Sequence, residues 1–308
     1  MRTDVVDKTA DSSVTEAIVT GRPAPRRSRG SASPAGRVRS VLKHVGLALL
    51  ALLMLYPLVW MLLASFRPSE DVFTPGLSLE GMTLENYTLG WDALSQPFGR
   101  YLLNSALVVL GAIIGNLVSC SLAAYAFARL TFRGSKWMFG LMLLTIMLPL
   151  QVIIVPQYIM FNSVGWVNTV LPLIVPKFFA TDGFFIFLMI QFIRSLPKEL
   201  DEAARIDGCG HFRTFTQIIL PLMTPALATT AIFTFIWTWN DFFSQVIYLT
   251  SPEAYTVQPA LRAFIDSQGQ SSWGPLFAMS IISILPVFLA FLFGQKYLVR
   301  GVATTGLK

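Results

Sequence analysis

The chain contains 308 residues, of which 54% are hydrophobic and only 13% are charged, and its formal net charge is +6. Ordinary soluble domains carry about 25% charged residues, so this composition excludes a typical soluble enzyme or binding module and indicates a protein of the lipid bilayer. The positive charge does not indicate a nucleic-acid partner, because most Lys and Arg residues lie in polar segments that flank long apolar runs.

The N-terminal segment, residues 1–40, is polar and rich in Ser, Ala, Pro and Arg. This composition predicts a disordered tail. The segment is not expected to be a cleavable signal peptide, because the first apolar run begins only near Val41 and is too long for an h-region.

Six apolar runs follow the tail. Each is long enough to cross a hydrocarbon core of about 30 Å as a helix, and none alternates as the strands of outer-membrane barrels do. The sequence therefore predicts an all-α membrane protein with six transmembrane helices. The predicted spans are 41–64, 102–125, 137–161, 169–193, 217–249 and 276–298.

Small residues and prolines interrupt three of these spans. Gly111 and Gly115 form a GxxxG pattern in the second span, which predicts close helix packing. Lys177 and Asp182 lie five residues apart in the fourth span, either as a structural pair or at the border of a water-filled vestibule. Prolines in the third and fourth spans predict irregular helices that line an internal cavity. These prolines are Pro149, Pro156, Pro172 and Pro176.

A polar loop, residues 197–221, separates the fourth and fifth spans. Pro197 suits the first turn of a helix, and Gly208 suits a left-handed turn at its end. The loop therefore predicts a helix over roughly 197–206, far too short to cross a membrane. Within it, Leu200, Ala203 and Ala204 share a narrow face of small side chains that would allow close approach of a partner.

The same loop carries a recognisable pattern, Glu202-Ala203-Ala204 followed by Gly208 and, later, Leu220-Pro221. Here the chain resembles the inner-membrane permease subunits of ABC importers, whose EAA loop has this spacing. The resemblance extends from about Arg100 to the C-terminus and is closest to permeases of sugar importers, including the smaller permease subunit of maltose-type importers. It implies a type I ABC importer permease fold with a cytoplasmic coupling helix. The implied ATPase-coupling residues are Glu202, Ala203, Ala204, Asp207 and Gly208.

The resemblance also implies an organisation and a set of partners. A cytoplasmic tail (1–40) would precede a first transmembrane helix with its extracytoplasmic loop (41–99), a permease domain (100–299) and a C-terminal cytoplasmic tail (300–308). The expected partners are a second homologous permease, two cytoplasmic ABC ATPase subunits, an extracytoplasmic sugar-binding protein and membrane lipid. The chain itself contains no G-x-x-x-x-G-K-[ST] pattern. It is therefore expected to be a non-catalytic subunit without a cofactor, with ATP and Mg bound by the partner ATPase.

The fifth span contains Trp237 and the run Trp239-Asn240-Asp241-Phe242. This run resembles the W-N-[DE]-F element of sugar permeases, so Trp239, Asn240 and Asp241 are the predicted substrate-pathway residues. Amide and carboxylate groups can hydrogen-bond sugar hydroxyls, and the Trp237 and Trp239 rings offer flat apolar faces. A polar cluster that packs helices together is the alternative interpretation.

The distribution of Lys and Arg predicts the topology. They are concentrated in the N-terminal tail, the loops after the second and fourth spans, and the C-terminus, whereas the opposite side holds only Arg67, Arg100 and Arg262. Because cytoplasmic loops carry the Lys and Arg excess, both termini and the 197–221 loop are predicted to face the cytoplasm of a bacterial plasma membrane. The aromatic-rich outer loops could serve either as interfacial anchors or as a docking surface for the binding protein.

Three other functions compete with an ATP-driven sugar importer. A secondary transporter or channel would need ion-coupling or filter residues in its spans, and such residues are sparse. A membrane-embedded enzyme would need clustered acidic or histidine side chains, whereas the two histidines stand apart. An ABC permease for a non-sugar solute also remains open.

Overall fold

The computed structural model of the chain describes residues 34–74, 76, 81–266 and 272–303. All regular secondary structure within these ranges is helical, which confirms the predicted all-α class. The first helix begins at Pro34, inside the segment predicted as a tail. The rest of that predicted tail, residues 1–33, and residues 304–308 at the C-terminus lie outside the described residues.

The helices are numbered α1 to α14 in chain order. A 3-10 turn, Val175–Phe179, continues α6, a π-helical turn, Phe215–Ile219, joins α9 to α10, and a second 3-10 turn, Pro252–Ala254, follows α12. The bounds are α1 Pro34–Ala64, α2 Glu85–Asp92, α3 Phe98–Arg129, α4 Ser135–Met147, α5 Leu150–Ser163, α6 Leu171–Ile174, α7 Gly183–Ser195, α8 Glu199–Ile206, α9 His211–Thr214, α10 Leu220–Leu222, α11 Thr224–Asn240, α12 Phe243–Tyr248, α13 Val257–Asp266 and α14 Trp273–Ala303.

Among the described residues, four segments are long and apolar enough to cross a membrane. Two bent helix pairs raise the number to six if each pair forms one span, in agreement with the predicted count. The pairs are Ser135–Met147 with Leu150–Ser163, bent by 103°, and His211–Leu222 with Thr224–Asn240, bent by 75°. The four single segments are Ser40–Ala64, Phe98–Arg129, Leu171–Ser195 and Trp273–Lys296.

Proline explains the first of the two bends. Leu148, which precedes Pro149, has an extended backbone with ψ 121°, because the proline ring clashes with a helical conformation of the residue before it. The fifth predicted span differs from the structure at its C-terminal end. It stops at Asn240, where the extended backbone of Asp241 separates α11 from the short helix α12.

The chain divides into two compact units after Pro57. In its described part, the first unit consists of the α1 segment up to Pro57, whose apolar side chains are largely exposed, as Leu47 and Leu52 show. The second unit, from Leu58 onward, contains three buried apolar clusters.

Helix α3 contributes to all three clusters of the second unit. Its C-terminal half places Cys120 and Tyr125 against α7, its N-terminal end places Tyr101 near α13 and α14, and Val108 lies in the third cluster. Neighbouring helices therefore cover α3 on several sides.

The two glycines of the GxxxG pattern lie where the α6 segment and its 3-10 turn cross α3. A Cβ atom added at Gly115 would lie 2.9 Å from the backbone carbonyl carbon of Lys177, and one added at Gly111 would lie 2.8 Å from a methyl group of Ile174. The predicted close packing is confirmed, and it occurs within the chain.

We expect Gly115→Val to destabilise the protein by about 1–3 kcal/mol, because the new side chain overpacks this contact and displaces the segment that carries Lys177. The measurement is the thermal unfolding midpoint in detergent. Gly140→Val is the matched control, since Gly140 also lies in an apolar helix but has no neighbouring atom within 4 Å of its added Cβ. Equal midpoints for the two variants would contradict the packing role.

The first predicted outer loop is itself folded in its described part. Asn86 donates from its side-chain amide to the backbone carbonyls of Ser65, at 3.0 Å, and Arg67, at 2.6 Å. The buried Arg67 guanidinium in turn donates to the carbonyls of Thr74 and Gly76. These hydrogen bonds hold the described part of the loop in a defined conformation.

Candidate functional site

Helix α8 confirms the short helix predicted in the 197–221 loop. It begins at Glu199, two residues later than predicted, and ends at Ile206. The turn after it is left-handed at Gly208, whose φ is +76°. The Gly208 N–H donates to the Arg205 carbonyl at 3.1 Å and the Cys209 N–H donates to the Ala204 carbonyl at 2.8 Å. This is the pair of hydrogen bonds of a Schellman turn, and it confirms the glycine as the end of the helix.

Four of the five predicted coupling residues lie on the surface. Glu202, Ala203, Asp207 and Gly208 are exposed, whereas Ala204 is 2% exposed and packs against its own chain. The predicted face of small residues is therefore split, with only Ala203 fully available to a partner.

Two large apolar residues of the loop were missed by sequence reasoning. Ile206 is 86% exposed and Phe212 is 74% exposed, and Ile206 follows Ala203 by three residues on the same helix face. The sequence feature that could have identified Ile206 is its position as an apolar residue next to the acidic Asp207 in an otherwise polar helix. Ile206 and Phe212 are therefore the large apolar side chains that the 197–221 loop presents at its surface.

Arg129, the last residue of α3, holds the start of the 197–221 loop. Its Nε lies 3.0 Å from Oδ2 of Asp201 on α8, and its Nη2 donates to the carbonyl oxygen of Leu196 at 2.8 Å. The Arg129 side chain is only 6% exposed. The end of α3 and helix α8 are therefore joined by a largely buried ion pair, and no local sequence pattern predicted this pair.

A second site lies deeper in the second unit, as a cavity of about 550 Å³ that we call the central cavity. Two of the segments predicted to be irregular line it, α5 and the α6 segment with its 3-10 turn, and the break between α11 and α12 contributes the rest of the wall. Its polar and aromatic lining includes Gln157, Phe161, Lys177, Asp182, Trp237, Asn240, Asp241, Ser244, Gln245 and Tyr248.

The structure separates the two tryptophans of α11. Trp237 is 49% exposed and lines the central cavity, with its ring stacked on Phe185 at a centroid distance of 5.2 Å. Trp239 is 4% exposed, stacks on Phe235 at 5.6 Å, and donates its indole N–H to the Ser283 carbonyl at 3.2 Å. Residues two apart on a helix point about 200° away from each other, so one Trp faces the cavity and the other the core.

Asn240 and Asp241 both line the central cavity, and both also make local structural bonds. The Asn240 side-chain amide donates to the Ile236 carbonyl at 2.8 Å, within the last turn of α11. The Asp241 Oδ1 accepts a hydrogen bond from the Ser244 N–H at 3.0 Å in the first turn of α12. The break between the helices thus places an amide and a carboxylate at the cavity wall.

Lys177 and Asp182 form the ion pair that was one of their two predicted roles. The Lys177 Nζ lies 2.9 Å and 3.1 Å from the two Asp182 carboxylate oxygens, and Asn116 on α3 donates to the same carboxylate at 2.7 Å. Ser119 on α3 donates to the Lys177 backbone carbonyl at 2.6 Å. Both charged residues also line the central cavity, so they form an ion pair and border the cavity at the same time.

Comparison with known proteins gives one family and several relatives. Residues 115–304 match the family described as the binding-protein-dependent transport system inner membrane component. A probable ABC transporter permease protein of Bacillus subtilis is 36% identical over 254 residues, covering 82% of this chain and 83% of the relative. A trehalose/maltose transport system permease protein of Thermococcus litoralis is 34% identical over 275 residues, covering 88% of this chain and 98% of the relative.

The fold is also similar to a solved structure. A chain in the crystal structure of a bacterial ABC transporter involved in the import of the acidic polysaccharide alginate superposes with a TM-score of 0.76 at 22% identity. The superposition covers 86% of this chain and 98% of that one.

Proposed function

Because the chain belongs to the family of binding-protein-dependent transport system inner membrane components, we propose that it is the permease subunit of an ATP-driven importer of a carbohydrate. The observation that carries the sugar assignment is the 34% identity, over 88% of the chain, to a trehalose/maltose permease. The chemistry of the central cavity agrees with it, since an exposed Trp ring beside amide and carboxylate groups suits the apolar faces and hydroxyls of a sugar.

In this function the chain forms one half of the translocation pathway. Trp237, Asn240 and Asp241 would face the sugar, and Trp239 would support them from the core by holding α11 against α14. A second homologous permease would supply the other half. An extracytoplasmic sugar-binding protein would deliver the substrate to the outer surface, and both termini would lie in the cytoplasm.

Energy would enter at the 197–221 loop. ATP and Mg would be bound by two partner ATPase subunits, onto which α8 would dock through its exposed residues Ala203, Ile206 and Gly208. Nucleotide-driven closure of the ATPases would move α8, and the Arg129–Asp201 pair would pass that movement to α3. Because α3 also holds Asp182 and Lys177 through Asn116 and Ser119, the same helix would change the cavity wall and bias it toward one side of the membrane.

The test is reconstitution of the chain with the proteins that co-purify with it in mild detergent. We expect a second six-span protein and a P-loop ATPase to be recovered, and uptake of a sugar into liposomes to require ATP and the binding protein. A chain that is active alone without ATP would instead be a secondary transporter, and ATP-driven uptake restricted to a non-sugar solute would overturn the sugar assignment.

The native cysteines test the docking surface without a known substrate. Cys209 follows Gly208 and is half-buried, whereas Cys120 is fully buried in α3. We expect a maleimide to label Cys209 in the free permease and to label it at least about tenfold more slowly once the ATPase is bound, because the partner would cover the turn. The Cys209→Ser variant is the control for labelling at Cys120, and an unchanged rate would contradict docking at α8.

A further inference from the structure

The charged groups at the central cavity differ in how they are paired. Within the described part of the chain, three ionisable side chains of the Asp, Glu, Lys and Arg types line it: Lys177, Asp182 and Asp241. Ionisable groups at membrane depth are rare and usually face a water-filled path, so their net charge affects what can enter.

The positive charge of Lys177 is neutralised within the chain. Its ammonium group contacts both oxygens of Asp182, and Asn116 adds a third donor to that carboxylate. The two side chains are only 28% and 26% exposed, so a substrate would have to break a partly buried ion pair to use the Lys177 ammonium. The pair presents almost no net charge to the cavity.

Asp241 has no such neutralising partner. Its Oδ1 accepts a backbone N–H from Ser244, and among the residues that the structure describes no Lys, Arg or His nitrogen forms an ion pair with it within 4.0 Å. The cavity wall of this chain therefore carries one uncompensated negative charge, next to the exposed ring of Trp237.

We propose that the central cavity selects against negatively charged saccharides and accepts uncharged or positively charged ones, with Asp241 as the specificity-determining residue. This inference rests on the proposed function, since it assigns a substrate class to the same pathway. An acidic sugar entering a site of low dielectric would be repelled by the Asp241 carboxylate, whereas the hydroxyl groups of a neutral sugar could donate hydrogen bonds to it. The fold shared with an alginate importer would then leave substrate charge to be set by the lining residues.

The experiment measures the sign of the potential in the cavity directly. Thr238 lines the cavity, is half-buried, and lies three residues before Asp241 in the last turn of α11. A Thr238→Cys reporter in a Cys209→Ser background, within the assembled importer in membrane vesicles, is treated with methanethiosulfonate reagents of opposite charge, the ethyltrimethylammonium and the ethylsulfonate. The ratio of the two rates, divided by the same ratio for 2-mercaptoethanol, cancels the intrinsic reactivity of the reagents.

We expect the cationic reagent to be favoured by about fivefold or more, as one nearby charge in a medium of intermediate dielectric predicts. Asp241→Asn should bring the normalised ratio to about one, and its amide oxygen can still accept the Ser244 N–H. Asp182→Asn should shift the ratio toward the anionic reagent by releasing the Lys177 charge. Asp92→Asn, an exposed carboxylate outside the cavity, is the matched control and should change nothing.

A normalised ratio at or below one in the parent reporter, or a ratio that Asp241→Asn leaves unchanged, would overturn the charge selection. ATP-driven uptake of a neutral sugar would then still stand, so the loss of this inference is distinguishable from the loss of the proposed function. As a second readout, the parent importer should take up a neutral tetrasaccharide but not a tetra-uronate of equal length, and transport of both at similar rates would also overturn it.

Discussion

Replacing Gly208 by Trp is expected to abolish ATP-driven uptake, with a fall of at least about tenfold, while the protein remains in the membrane. Gly208 has a φ of +76°, and apart from its neighbours in sequence no atom of the described residues lies within 4 Å of an added Cβ. The substitution therefore costs only the strain of a left-handed non-glycine residue, about 1–2 kcal/mol. A bulky ring at the open turn would instead collide with the docked ATPase. Uptake into vesicles and recovery of the ATPase with the permease are the two measurements.

Gly134→Trp is the matched control. Gly134 also has a positive φ, +84°, also has no neighbour within 4 Å of its added Cβ, and lies in the other loop that is predicted to face the cytoplasm. Both variants carry the same kind of strain, so only contact with a partner distinguishes them. Wild-type uptake by Gly208→Trp, or an equal loss in both variants, would count against docking at the turn after α8.

Arg129→Ala should uncouple ATP hydrolysis from transport, lowering the sugar carried per ATP hydrolysed by about tenfold or more. The substitution removes the 3.0 Å contact with Asp201 and the 2.8 Å bond to the Leu196 carbonyl, so α8 loses its attachment to the end of α3. It also leaves the Asp201 carboxylate without its counter-charge and the Leu196 carbonyl without its donor in a site where the arginine is 6% exposed, which is costly. The measurement is the ratio of initial uptake rate to ATPase rate in the reconstituted importer.

The neighbouring Arg133 supplies the control for this variant, since its side chain is exposed and it lies on the same loop. Arg133→Ala should keep the wild-type ratio of uptake to ATP hydrolysis. Arg129→Lys retains the charge, but a single ammonium group cannot contact both Asp201 and the Leu196 carbonyl as the planar guanidinium does. An intermediate ratio of uptake to ATP hydrolysis is therefore expected. If Arg129→Ala lowers the amount of folded protein but leaves the ratio intact, the arginine has a purely structural role.

Much of the coupling helix could be predicted from local chemistry. Gly208 had to follow the helix because a Schellman turn needs a left-handed residue, and the acidic first turn with Pro197 fixed the approximate start. The burial of Ala204 and the exposure of Ile206 could not be predicted, because which side of a short helix faces its own chain depends on distant segments such as the end of α3, to which Asp201 is attached.

The predicted substrate-pathway residues were likewise only partly predictable from the sequence. The W-N-[DE]-F resemblance drew attention to one short stretch, yet the structure turns Trp239 into the core and presents Trp237 to the cavity. The choice between them depends on the rotation of α11 about its axis, which is set by contacts with other helices such as the hydrogen bond from Trp239 to the Ser283 carbonyl on α14. The fifth span also ended earlier than predicted, since apolar residues after Asn240 belong to the separate helix α12.

The sequence by itself determined the helical membrane class, the number of spans, the position of the coupling loop and the family resemblance. These are properties of apolar run length, charge distribution and local turn chemistry, which act between residues close together in the chain. The tertiary structure alone decided the Arg129–Asp201 attachment, the hydrogen bond from Asn116 to the carboxylate of the Lys177–Asp182 pair, and the uncompensated charge at Asp241. Each of these depends on side chains brought together by helix packing from distant parts of the chain or left apart by it, and no local pattern encodes such distances.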